Sequence, residues 1–364
     1  MPTLSVIIPV YNVAPYLRAC LDSVCIAVAN AQKAFHDFTA EIICVDDGST
    51  DGSGAILDEY AERFNSSNRE SECVPGEEEC KTTAVHLHLL SPPPPPLVFR
   101  IIHQPNAGVS AARNAALDVA MGEWVMMLDS DDTWSSDLIE QLFARINKTP
   151  DCDAVGFGMM KVDESGRELG AFGRESVTTI TTGDDILYDR GPLAHFLWSS
   201  SDKVYRRSVI EQMGLRYTPG LRTSEDSLFA HQFFTQASKV VLAPEIMGYR
   251  YLMHEGSAIH TLDRYLPESP FFFFFKMHDL WRKNPSPGLT RRLQFIAAGQ
   301  PSLGKSENFA PNVRGEAIEY LLRSKDFNRI LWFMILHGTN KMRLFAIAYL
   351  VSPWFVRRLI LKRL

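Results

Sequence analysis

Several things are missing from this 364-residue sequence, and each absence removes a class of protein. It has no CxxC pair and no histidine at zinc-ligand spacing, which excludes a finger-type or ribbon-type metal site. It has no internal repeat, so a solenoid is excluded. It has no excess of basic charge: 37 Lys and Arg stand against 43 Asp and Glu, a net charge of −6 that argues against a nucleic-acid-coating protein. The N-terminus enters a short apolar run without a basic flank or a small-residue cleavage site, so the expectation is no signal peptide and a cytoplasmic protein. The six cysteines are expected to be reduced core residues, except that Cys73 and Cys80 could pair in an oxidising compartment. Asn65 and Asn147 stand in N-x-S/T triplets of the kind chance supplies often.

What is present is an alternation of strands and helices. Leu4 to Val10 is a β-branched run ended by Pro9 and a turn at Asn12, and Ala14 to Val24 has helical apolar spacing. Glu41 to Val45 repeats the strand and Ala55 to Phe64 the helix, with Asp46 to Asp51 supplying turn residues and N-cap candidates between them. Residues 65–97 are a polar, acidic surface insertion closing on Pro92 to Pro96. That run is a polyproline spacer, with PxxP recruitment as the alternative. Val98 to Ile102, Val109 to Met121, Trp124 to Leu128 and Ser135 to Ile146 continue strand, helix, strand, helix. Gly156 to Phe172 reads as a hairpin, Ser224 to Phe234 and Arg264 to Arg282 as helices. The fold class is therefore α/β, with a mostly parallel central sheet and its ligand crevice at the carboxyl ends of the strands.

Asp129, Ser130, Asp131 and Asp132 follow the apolar run Trp124 to Leu128. Carboxylates so crowded repel, and two readings are open. Either a hard divalent cation carrying a phosphate holds them, or they cap the next helix from a solvated loop.

Four ordered motifs now resemble glycosyltransferase family 2, whose nucleotide-binding half has the GT-A fold. They are Ser5-Val-Ile-Ile-Pro-Val-Tyr-Asn12, Val45-Asp-Asp-Gly-Ser-Thr-Asp51, Asn106-Ala-Gly-Val-Ser-Ala-Ala-Arg-Asn114 and Leu128-Asp-Ser-Asp-Asp132. The resemblance spans roughly Thr3 to Tyr251, broken by the insertion. It implies a GT-A domain over 1–260 and a helical region over 261–364. Pro9, Tyr11, Asn12 and Asp46 would belong to the nucleotide pocket, the aromatic face stacking on a base and the carboxylate accepting from a ring N–H of uracil. Asp47 would contact base or ribose, or cap the following helix. Asn106, Gly108 and Arg113 would lie along the donor. Asp129, Ser130 and Asp131 match the DXD motif: Asp129 reaches ribose or metal, Asp131 binds Mg²⁺ or Mn²⁺ on the donor diphosphate, and Asp132 is a further ligand or a helix cap.

Thr223-Ser-Glu-Asp226 matches the family's acidic motif, which makes Asp226 the base for the acceptor hydroxyl and Glu225 its positioning partner. The plainer reading of both acids is that carboxylates suit a helix N-terminus. One base and one displacement imply inversion at the anomeric carbon. Weaker matches nominate Lys203 in Asp202-Lys-Val-Tyr-Arg-Arg207 as a contact for acceptor or phosphate, and Arg250, His254 and Ser257 in a segment, Tyr249 to Ser257, that resembles the one closing over the donor diphosphate. The implied partners are a nucleotide-sugar, UDP-linked, and a saccharide or lipid-linked saccharide acceptor of cell-surface polysaccharide synthesis, with no nucleic acid. Rival readings are a catalytically inactive sugar-nucleotide-binding module and a signalling receiver domain, which Asp46 and Asp47 at a strand end would suit.

The C-terminal run Leu344 to Val351 falls short of the ~20 residues that span a bilayer. The segment Lys341 to Leu364 carries basic residues and no acid. An interfacial helix on the inner face of the membrane and an ordinary packed helix are both open.

Overall fold

A computed structural model describes residues 2–70, 97–172, 178–189, 191–219, 221, 224–254, 269–299 and 327–352. The proline run, Cys73, Cys80 and Ser257 lie outside these residues. The chain forms two compact units. The first takes in Met1–Ile180, Ser201–Pro219 and Lys239–Leu252, and the second Thr181–Ser200, Gly220–Ser238 and Met253–Leu364. The sequence boundary at residue 260 is thus crossed twice, since 181–200 and 220–238 belong to the second unit.

In the first unit β1 (Leu4–Val10), β2 (Ala40–Asp46), β3 (Leu97–His103) and β4 (Trp124–Met127) are parallel neighbours in the order β3-β2-β1-β4. β1, β2 and β4 are buried throughout, which is why they read as unbroken apolar runs rather than alternating ones. Register aligns Val10 with Asp46 and Asp46 with His103, so the loops after β1, β2 and β3 leave the same edge side by side. The rest of the sheet adds β6 (Ala154–Phe157), β10 (Lys203–Arg206) and β11 (Val240–Ala243), with β9 (Thr179–Thr181) at the edge. β10 runs antiparallel to both β4 and β6, making the sheet mixed.

Leu4, Val6, Ile8 and Val10 face α1 (Ala14–Ala34), α2 (Ser53–Glu70) and α4 (Leu138–Lys148) in one apolar cluster. α3 (Val109–Val119) packs on β1 and β2, where buried Ala112 and Ala116 permit a close approach. α1 runs ten residues past the expected end at Val24. No Pro or Gly interrupts Cys25 to Ala34, and Cys25, Ala27, Val28 and Ala31 continue its buried face. Cys20, Cys25, Cys44 and Cys152 are buried and free. Asn65 uses its amide structurally, bonding both the N–H and the carbonyl of Phe99.

The expected hairpin from Gly156 is divided between two sheets. β6 stays in the large one, while β7 (Met159–Val162) and β8 (Glu168–Phe172) pair in a small one with β5 (Thr133–Trp134) and β12 (Tyr249–Leu252), in the order β5-β12-β7-β8. Gly158 is the crossover: a Cβ there would stand 2.5 Å from the Pro244 carbonyl oxygen.

The second unit is helical among its described residues. It contains α5 (Gly183–Tyr188), α7 (Glu225–Phe234), α8 (Ser269–Lys283), α9 (Pro287–Gly299), α10 (Phe327–His337) and α11 (Asn340–Val351); α6 (Arg207–Met213) belongs to the first unit. α8 starts at Ser269 with Pro270 in its first turn, where a missing N–H costs nothing, while Arg264 to Glu268 lie outside the described residues.

Candidate active site

Pro9 shapes the crevice before any ligand is considered. Leu128 N–H donates to the Ile7 carbonyl at 3.0 Å, and the next bond of that ladder would run from residue 9 to Leu128. Proline has no donor, so pairing between β1 and β4 ends there. Tyr11, half exposed, and Asn12 follow. Asn12 has φ of 51°, and its side chain accepts from Thr50 N–H at 2.8 Å while its own N–H donates to Ser49 Oγ at 3.1 Å. These bonds lock the β1 loop to the β2 loop. Asp51 extends the lock, accepting from Ala14 N–H at 2.9 Å and Ser53 N–H at 3.0 Å at the starts of α1 and α2.

The adjacent acids Asp46 and Asp47 do different work. Asp46 accepts from Ser49 N–H at 2.9 Å and meets His103 Nδ1 at 2.9 Å, and the other ring nitrogen of His103 lies 3.2 Å from Asp58. Burial pushes the Asp46 carboxyl up, but the Ser49 and His103 bonds outweigh it and the net direction is down. His103 is held above the ordinary imidazole value by Asp46 and then Asp58. Asp47 is turned to the third loop. It accepts from Gln104 Nε2 at 2.6 Å, Ala107 N–H at 2.9 Å and Gly108 N–H at 2.8 Å. Asp47 is no cap for α2, which begins at Ser53, and its lone pairs brace the Asn106 to Gly108 turn. Gly48, at φ +79°, lets the two loops close, since a Cβ on it would lie 2.9 Å from Asn106 N.

Gly108, at φ +89°, precedes α3, and on α3 Arg113 is buried. Its guanidinium donates to Asp129 at 2.7 Å and lies 5.0 Å from the ring centroid of Tyr217. Asn114 holds the Tyr217 backbone: its amide donates to the Tyr217 carbonyl at 2.9 Å and accepts from Tyr217 N–H at 2.7 Å. Arg113 thus reaches the acidic loop rather than standing apart from it. No sequence motif marked Tyr217, because only the folded chain brings residues 113, 114 and 217 together.

In the acidic loop Asp132 N–H donates to the Asp129 carbonyl, making a turn that leads into β5. Asp132 is buried, accepting from Tyr249 Oη at 2.7 Å and Leu252 N–H at 2.7 Å. Burial, then the neighbouring carboxylates of Asp131 and Asp129, push its carboxyl well up. α4 begins only at Leu138 behind Asp137, which corrects the helix-cap reading of Asp132; each of its oxygens accepts a bond from β12. Ser130 is buried, and Asp129 and Asp131 are partly exposed. Arg250, on β12 opposite Thr133, sits 3.9 Å from Glu168. Lys203 is fully buried in an ion pair with Asp202, which corrects its nomination as a phosphate or acceptor contact.

Asp129 and Asp131 offer hard oxygen donors. Among the described residues no cluster of three or more His, Cys, Asp or Glu could hold a metal on its own. Two carboxylates fit a cation that arrives with phosphate oxygens and water filling its other positions, the habit of Mg²⁺.

Glu225 and Asp226 occupy the first turn of α7 in the second unit, behind Ser224 at φ 64°. Asp226 accepts from Ser227 N–H at 2.7 Å. Among the described residues Asn12 and Ser224 are the non-glycine positions at positive φ. Such strain gathers where function fixes a backbone. His254 is half-buried in the second unit.

The family described as Glycosyl transferase family 2 matches residues 5–71 and 91–214, its gap falling inside the polar insertion. Among curated proteins, "Uncharacterized glycosyltransferase EpsJ" of Bacillus subtilis (strain 168) is 28% identical over 248 residues, 67% of this chain and 60% of EpsJ. "Poly(ribitol-phosphate) beta-N-acetylglucosaminyltransferase TarS" of Staphylococcus aureus (strain Mu50) is 23% identical over 75% of this chain and 39% of its own length. The chain thus spans less than two thirds of either. The crystal structure of S. aureus TarS 1–349 in complex with UDP-GlcNAc superposes with a TM-score of 0.65 at 18% identity, covering 99% of this chain and 90% of that one. The mannosyltransferase PcManGT from Pyrobaculum calidifontis, in complex with GDP-Man and Mn²⁺, gives 0.50 at 15% identity over 98% of this chain and 86% of that one.

Proposed function

The chain belongs to glycosyl transferase family 2 and has the GT-A fold. From that premise we propose that it is an inverting, metal-dependent glycosyltransferase. It moves a sugar from a UDP-linked donor to a hydroxyl of a saccharide or lipid-linked saccharide in cell-surface polysaccharide synthesis. The observation that carries this is the convergence of the β1, β2 and β3 loops with the Arg113–Asp129 pair on one edge of the parallel strands. TarS, solved with UDP-GlcNAc, and its naming as a poly(ribitol-phosphate) transferase support the donor and acceptor classes.

In this reading Tyr11 stacks on the base beside Pro9, and Asp46, steadied by His103, accepts the uracil ring N–H. Asn12 fixes the loop under the base. Asn106 and Gly108 allow close approach of the donor, and Asp47 keeps that turn in shape. Arg113 orients Asp129, and Ser130 lines the donor between the two acids. Asp129 and Asp131 hold Mg²⁺ or Mn²⁺, which when bound draws negative charge from the departing diphosphate. Arg250, His254 and Ser257 supply further polar contacts to the diphosphate. As the acceptor oxygen bonds to C1 and the C1–O bond to the nucleoside diphosphate breaks, Asp226 takes the hydroxyl proton and Glu225 orients the acceptor. A lipid-linked acceptor puts the reaction beside the inner face of the membrane.

A panel of UDP-sugars assayed for release of UDP, with and without lipid-linked oligosaccharides, tests the proposal. Donor-dependent release that acceptor accelerates is expected. No release from any nucleotide-sugar, or full activity in Asp226→Asn, would contradict it.

A further inference from the structure

α11 is apolar on two sides. Met342, Ala346 and Tyr349 are its buried face. Leu344, Ile347 and Val351 form a second stripe at helical spacing that is 69%, 47% and 80% exposed. α10 packs against α11, and Trp332 and Leu336, one turn apart on α10, are 56% and 62% exposed. A soluble helix keeps polar residues on its outer face, and one apolar on both sides is normally covered. Lys341 and Arg343 are exposed at the start of α11, and residues 327–364 contain no Asp or Glu at all. Among the described residues no helix is long and apolar enough to cross a membrane.

We infer that the outer face of α10 and α11, built from Trp332, Leu336, Leu344, Ile347 and Val351 with Lys341 and Arg343, docks on an anionic lipid surface. Charge decides for lipid over a second copy of the chain, because two such faces together would oppose like charges. Apolar side chains enter the acyl boundary, Trp332 sits at headgroup level, and the two cations meet lipid phosphates. The inference uses no residue of the proposed transfer site.

The test is co-sedimentation of the full chain with vesicles of phosphatidylcholine alone or mixed with phosphatidylglycerol. Binding to the mixed vesicles is expected, falling with salt. Lys341→Gln with Arg343→Gln should weaken it about 25-fold, at about fivefold per basic residue. Leu344→Asp with Ile347→Asp should weaken it at least about tenfold while melting temperature and UDP binding stay unchanged. Equal binding by wild type and the Leu344→Asp, Ile347→Asp variant would overturn the inference. So would a wild-type dimer, seen by light scattering, that this variant splits. A large fall in the variant's melting temperature, with vesicle binding unchanged, would mean the chain covers this face itself and would also overturn it.

Discussion

Asp46 and Asp47 are neighbours in sequence, and the structure predicts opposite consequences when each becomes asparagine. Asp47 accepts three hydrogen bonds while buried. Asparagine keeps the shape and one carbonyl oxygen, which can still take Gln104 Nε2 and Ala107 N–H. Its NH₂ then faces Gly108 N–H, donor against donor. One charge-assisted bond is lost outright and two become ordinary, a cost of about 2–3 kcal/mol. For a domain of this size that lowers the melting temperature by about 6 °C. Asp46→Asn instead removes a contact to a half-exposed His103, with a stability cost of about 1 kcal/mol, but loses most UDP affinity under the proposed role. Thermal melts and UDP titrations on both variants separate the two effects. Asp47→Asn melting with wild type, or the two variants losing stability and affinity in the same proportion, would refute this division of labour.

Other perturbations have defined outcomes. His103 is held above its ordinary value, so what it contributes is fully present below about pH 6.5 and is lost as pH rises through the elevated value; Asp46, held low, contributes above about pH 4 and loses it as pH falls further. UDP affinity measured from about pH 5 to about pH 9 should decline at the alkaline end in wild type and lose that decline in His103→Gln. Glu41 on β2 is buried, accepting from Ser5 Oγ at 2.6 Å and Met121 N–H at 2.6 Å with Arg100 at 3.0 Å, so Glu41→Ala should cost about 3 kcal/mol in denaturant unfolding. Lys203→Met removes one member of a buried ion pair and should cost about 3–5 kcal/mol in the same measurement, part of it recovered in the double variant with Asp202→Asn.

The parallel strands and their loops were legible because both rest on local signals: apolar runs closed by turn residues, in motifs with fixed order. The position of the acidic loop after β4 was legible for the same reason. The helix-cap reading of the acidic loop failed because β5, a two-residue strand with no sequence period, separates it from α4. The shift of Gly156 to Phe172 between sheets depended on the space around Gly158, which no propensity records. Tyr217 and Tyr249 brace Arg113 and Asp132 across more than a hundred residues, so neither could be found by spacing. Lys203 looked like a surface cation because lysine usually is one, and the ion pair with Asp202 helps make its burial tolerable.

The central claim is that Asp129 and Asp131 hold the leaving diphosphate through a divalent ion while Asp226 takes the proton. Calorimetric titration with UDP, with and without Mn²⁺, paired with turnover of a UDP-sugar, tests it most directly. Wild type should bind UDP more tightly with the ion, Asp131→Asn should lose that increment, and Asp226→Asn should keep it yet fail to turn over. Metal-dependent binding that survives Asp131→Asn, or turnover that survives Asp226→Asn, would contradict the account.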